Sequence, residues 1–171
     1  DLYDGVKGIN VIPSFYKLEY IEWKDRGDGP GAPVMVHDSS SDIMSQTKAD
    51  TNYKDRLPSG NYIEKTASHF VIIMGDSPQT ALISMKSTQL KISRGKNGLY
   101  TPASFSHIYK LKTTQMSNDK GTWFGWEVSK VGPVTDASTY QQAKSFSESI
   151  SKGSVKAKHG EEKPKEAASI I

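Results

Sequence analysis

Lys86, Lys91, Arg94, Lys96, Lys110 and Lys112 stand in a stretch, Ser77 to Asn118, that contains no Asp or Glu. Tyr100, Phe105 and Tyr109 lie in the same stretch. Cations interleaved with flat rings are the groups a single-stranded nucleic acid requires, ammonium and guanidinium for phosphates and ring faces for bases. The chain of 171 residues carries a net charge of only +3, so acids elsewhere balance this local excess. The chemistry indicated is binding, with each cation tracking about one phosphate and a steep salt dependence as the consequence.

Signs of bond-breaking chemistry are few. The sequence has no G-x-S-x-G elbow and no H-E-x-x-H pair. His37, His69, His107 and His159 are dispersed, and there is no cysteine to join them as a thiolate ligand. We therefore expect no metal and no cofactor, with His107 a nucleic-acid contact inside the basic stretch. Asp50, Asp55 and Glu64 alternate with Lys54, Arg56 and Lys65, a mixture that reads as surface pairing. A metal-dependent nuclease built from distant carboxylates is the third-ranked alternative. Arg26 to Pro33 is a glycine- and proline-rich loop without the Gly-Lys-Ser/Thr ending of a phosphate-binding loop.

The elements that position these residues read mainly as β. Val6 to Ile12 forms a candidate strand closed by Pro13, and Ser14 to Lys24 alternates as a second. In the latter, Tyr16, Leu18 and Tyr20 face one way, and Lys17, Glu19 and Ile21 the other. Pro33 to His37 is a short strand, and Ser39 caps a short helix through Ile43 and Gln46. Tyr62 to Met74 and Ala81 to Met85 make a hairpin around a Gly/Asp/Pro turn. Ser87 to Arg94 reads as a short helix capped by Ser87, with Lys91 and Arg94 on one face. Phe105 to Met116 and Thr122 to Val131 form a second hairpin, with Gly125 a bulge or a point of close approach. On its first strand Lys110 and Lys112 share a face, with no acid near them in sequence. Trp123 and Phe124 are adjacent and must point to opposite faces, so at least one ring is exposed or covered by a helix. Asp136 caps the helix Ala137 to Lys152, which Gly153 ends.

This inventory predicts a β domain over 1–153 with one C-terminal helix, an OB-like small antiparallel barrel or, as an alternative, a two-sheet sandwich. Residues 154–171 are Lys/Glu/Ala-rich and read as a disordered charged tail. No apolar run reaches the ~18 residues of a membrane span, and no signal-peptide pattern is present. The chain opens on Asp1 rather than Met, which suggests residues trimmed or missing before it. The abrupt junction Ser93-Arg94-Gly95-Lys96 suggests a mobile basic loop missing from the sequence there, which an intact mass equal to that of the 171 residues would rule out.

Ala81-Leu82-Ile83-Ser84-Met85-Lys86-Ser87-Thr88-Gln89-Leu90-Lys91, with the turn and strand Asn118-Asp119-Lys120-Gly121-Thr122-Trp123-Phe124-Gly125-Trp126, resembles small proteins of tailed bacteriophages. Asp55-Arg56-Leu57-Pro58, Gly60-Asn61-Tyr62-Ile63 and Tyr140-Gln141-Gln142-Ala143-Lys144 add to the likeness, which covers most of residues 8–153. The resemblance implies single-stranded DNA binding in phage replication or recombination, within the host cytoplasm. It also implies an OB-like core holding the strand and a tail that recruits replication proteins. The tail departs from that pattern: single-strand binders often end in acids with an aromatic tip, whereas this one is mixed and ends Ser169-Ile170-Ile171.

The expectation is thus a non-catalytic single-stranded DNA-binding protein, with homo-oligomers and phage replication proteins as further partners and no membrane. Lys86, Lys91, Arg94, Lys96, Lys110 and Lys112 contact phosphates, while Tyr100, Tyr109 and Trp126 stack on bases. Removing Lys110 and Lys112 together weakens binding equally on all sequences. The rival expectation is a structural protein of the phage particle.

Overall fold

The computed structural model describes residues 3–95, 99, 104–155 and 157–159. Two compact units emerge, 1–19 with 65–157 and 20–64 with 158–171. Two long strands, β1 (Ile9–Trp23) and β5 (Tyr62–Ile73), run through both. The fold is mainly β and antiparallel with a C-terminal helix, as the sequence predicts, and is consistent with an OB-like small barrel.

In the larger unit the strand order is β6 (Gln79–Lys86), β5, β1, β7 (His107–Asn118), β8 (Gly121–Pro133). The predicted hairpins are both present. β5 and β6 pair from Thr66↔Lys86 to Ile73↔Gln79. β7 and β8 pair from His107↔Pro133 to Asn118↔Gly121, with a register shift at Ile108/Tyr109. Cross-strand partners point to the same face, so the register assigns every side chain. One face carries Val11, Ala67, Val71, Ile83, Met85, Tyr109 and Leu111, a buried cluster that Leu99 joins from outside the sheet and against which Leu90, Trp126 and Val128 pack. The other carries Ile12 and Ile72, covered by Ala143 and Phe146 of the helix α2 (Ala137–Ser151). Phe146 meets Phe70 edge-on at 6.3 Å, and Tyr140 meets Phe105 at 5.5 Å. The predicted cap holds: the Asp136 carboxylate accepts the Thr139 N–H at 2.7 Å.

Pro13 does not end a strand. β1 passes straight through it, because proline needs only to give up a ladder donor and irregular positions tolerate that. Val11 and Tyr16 pack on the same cluster although they are five residues apart, so the alternation slips between them. Beyond the slip the buried positions are Glu19, Ile21 and Trp23, and Tyr16 and Tyr20 are only half-buried. Glu19 is tolerated inside because Ser68 donates to its carboxylate at 2.7 Å, with Lys17 at 3.4 Å.

In the smaller unit β2 (Met35–Asp38) pairs with the end of β1. The short strands β3 (Lys48–Ala49) and β4 (Asp55–Arg56) pair with each other, and β4 pairs with the start of β5. Ile43, Leu57 and Ile63 form its core. The segment Ile43–Gln46 is a 3-10 turn whose first N–H bonds to Ser41 Oγ rather than to Ser39. The expected surface pairing is a network: Arg56 bonds Asp25 at 2.7 Å and Asp50 at 2.9 Å, and Lys54 reaches Asp25 at 3.0 Å. Held by these cations, the Asp25 carboxyl is lowered to about 2.

Candidate nucleic-acid interface

The predicted short helix is α1 (Gln89–Arg94). Ser87 is not its cap; it sits in the left-handed region at φ 52, and Thr88 precedes the helix without a side-chain capping bond. α1 packs against both β6 and β8, the two outer strands of the larger unit. Gln89 reaches the outer edge of β8, where its Oε1 accepts the Trp126 N–H at 2.8 Å. Gly125 makes this approach feasible, since a Cβ there would lie 2.8 Å from Gln89 Nε2 and 2.5 Å from Met116 Sδ. Gly125 is therefore a point of close approach and not a bulge.

Lys91 and Arg94 are exposed on α1. Arg94 donates from Nε and Nη2 to the Tyr16 hydroxyl at 3.1 and 2.9 Å, with its guanidinium 5.9 Å from the ring centroid. Along β8, on the face shared with α1, run Phe124, Trp126, Val128 and Lys130. Phe124 is 69% exposed, Trp126 is half-buried, and Lys130 is exposed. Two accessible rings and three cations thus flank one helix and one strand edge.

The remaining predicted residues are placed differently. Tyr109 is 2% exposed in the core, so its ring has no face to offer a base; strand alternation puts it with Leu111 against the cluster. Lys110 and Lys112 are half-buried and, like Lys86, point to the opposite face from the cluster and α1. Pairing also sets an acid across from one of them, since Glu127 is the cross-strand partner of Lys112. His107 begins β7, half-buried, with Nδ1 2.8 Å from Ser106 Oγ. Lys96 and Tyr100 lie outside the described residues. Phe124 is the exposed ring that the Trp123/Phe124 alternation required; Lys130 and Gln89 were not singled out by sequence, and although alternation along β8 carried Lys130, nothing in sequence carried Gln89.

Among the described residues no group of three or more His, Asp or Glu side chains gathers as a metal site, and no helix is long and apolar enough to cross a membrane.

The chain is a bacteriophage protein. It belongs to the Pam3 phage gp34-like family, whose model matches residues 1–156. No curated protein and no solved structure matches it.

Proposed function

We propose that the protein is a non-catalytic single-stranded DNA-binding protein of phage replication or recombination, acting in the host cytoplasm. The observation that supports this reading is the platform at α1 and β8, where Phe124, Trp126 and Lys130 share the face of β8 against which α1, with exposed Lys91 and Arg94, packs. Stacking on exposed rings is sequence-tolerant and worth about 1–3 kcal/mol per base, and cations beside the rings hold the backbone. Lys110 and Lys112, on the other face, meet only a strand that passes round the β8 edge. The Lys91→Ala/Arg94→Ala protein therefore loses more affinity than Lys110→Ala/Lys112→Ala. Equal losses in the two double variants would move the site off the platform. The test is a titration with labelled oligo-dT in both variants.

A role in the phage particle is favoured by a different observation. Val34, Met35 and Val36 are consecutive and 46%, 55% and 42% exposed, an apolar run of the kind protein contacts cover. Co-purification with intact particles would support that role, and absence from them would remove it.

A further inference from the structure

α1 has little of its own to hold it in place. Six residues are too few for a helix to persist alone in water. Its N-cap side chain makes no capping bond, and Gly95 after it is already extended at ψ 169. Leu90 gives it apolar burial, which is non-directional. Direction comes from polar contacts to three different strands. Ser93, the buried residue of the helix, has its Oγ 2.7 Å from Nε2 of His69 on β5, and both residues are fully buried. His69 Nδ1 has no hydrogen-bond partner among the described residues, so the bond to Ser93 is the polar contact that fixes this ring. The Tyr16 ring of β1 lies 5.2 Å from the His69 ring and takes the Arg94 hydrogen bonds at its hydroxyl. Gln89 holds the Trp126 amide of β8.

From this geometry we infer that His69 and Ser93 are positioning residues of the nucleic-acid site. Their buried hydrogen bond is the latch that docks α1, and with it Lys91, Arg94 and the Gln89 clasp on the β8 edge. The inference rests on the platform proposed above for its functional meaning, but the docking is measurable without DNA. The Trp126 amide is bonded to Gln89 of α1, so its hydrogen exchange reports the docking that the latch is inferred to hold.

The experiment compares amide exchange in the full chain for the wild type, Ser93→Ala and His69→Gln. In Ser93→Ala, Trp126 exchanges about tenfold faster while the β7–β8 ladder amides keep their protection. His69→Gln, which still presents a polar group to Ser93, speeds Trp126 exchange by less than Ser93→Ala does. On oligo-dT, Ser93→Ala also loses affinity relative to the wild type, as Lys91 and Arg94 spend less time in their fixed places. Unchanged Trp126 exchange in Ser93→Ala overturns the latch. Should that variant not fold, exchange of the wild type in low urea decides. Trp126 and Gly95 opening together before the ladder supports docking as a unit, and Trp126 opening only with the ladder overturns it. Absence of oligo-dT binding by the wild type would sink the nucleic-acid reading alone and leave the exchange result standing.

Discussion

Phe124 and Tyr109 show how burial separates two roles for an aromatic ring. Phe124→Ala should weaken oligo-dT binding by about 1–3 kcal/mol and leave the urea midpoint unchanged, because the ring is largely in solvent. Tyr109→Ala should destabilise the fold by about 3–5 kcal/mol, the cost of emptying a packed core site. Urea unfolding and oligo-dT titration of the two variants separate these outcomes. His69 sets a third expectation. Burial holds its imidazole down at about 4, against 6.5 in the unfolded chain. Between these values the unfolded chain binds the proton and the folded one does not. The contribution to stability is therefore complete above about pH 6.5 and is lost as pH falls through about 4. The gap corresponds to about 3 kcal/mol. A urea midpoint that stays flat from pH 7 to 4.5, once the same series in His69→Gln is subtracted, would contradict it.

At the scale of elements, much was legible because it rests on local pattern. The β5–β6 and β7–β8 hairpins follow from alternation and turn residues, and α2 from its Asp136 cap and apolar stripe. What the sequence hid depends on pairing. Pro13 looks like a stop, yet β1 continues through it, and the slip beyond it reverses which of Tyr16, Glu19 and Ile21 lie inside. Lys112 looks free of acids until register sets Glu127 opposite. The split of the cations between two faces likewise needs the strand order, which no window of sequence contains. The Gln89 clasp needs both α1 and β8 in place. Gly125→Ala should displace it at a cost of about 1–3 kcal/mol, since the added methyl has Gln89 and Met116 in its way. The loss should appear as faster exchange at Trp126. Wild-type exchange in Gly125→Ala would mean the approach is looser than the geometry shows.

For the whole molecule, a net charge of +3 gives little general attraction to nucleic acid, so the proposed binding draws on where the charges sit. β8 is also a long outer strand, the kind of edge that invites chance pairing, and the Gln89 side chain already occupies one of its outward donors. The proposed platform beside that edge uses the strand's faces, while Gln89 caps one donor of its backbone. We propose that α1 and β8 form a single-strand binding platform. Its most direct test is a titration of labelled oligo-dT with wild-type and Lys91→Ala/Arg94→Ala protein at two salt concentrations, with duplex DNA of equal length as control. Salt-sensitive binding to the single strand over the duplex is expected, with a salt slope that falls by about two charges in the double variant. Binding absent at low salt, or a double variant indistinguishable from wild type, would contradict it.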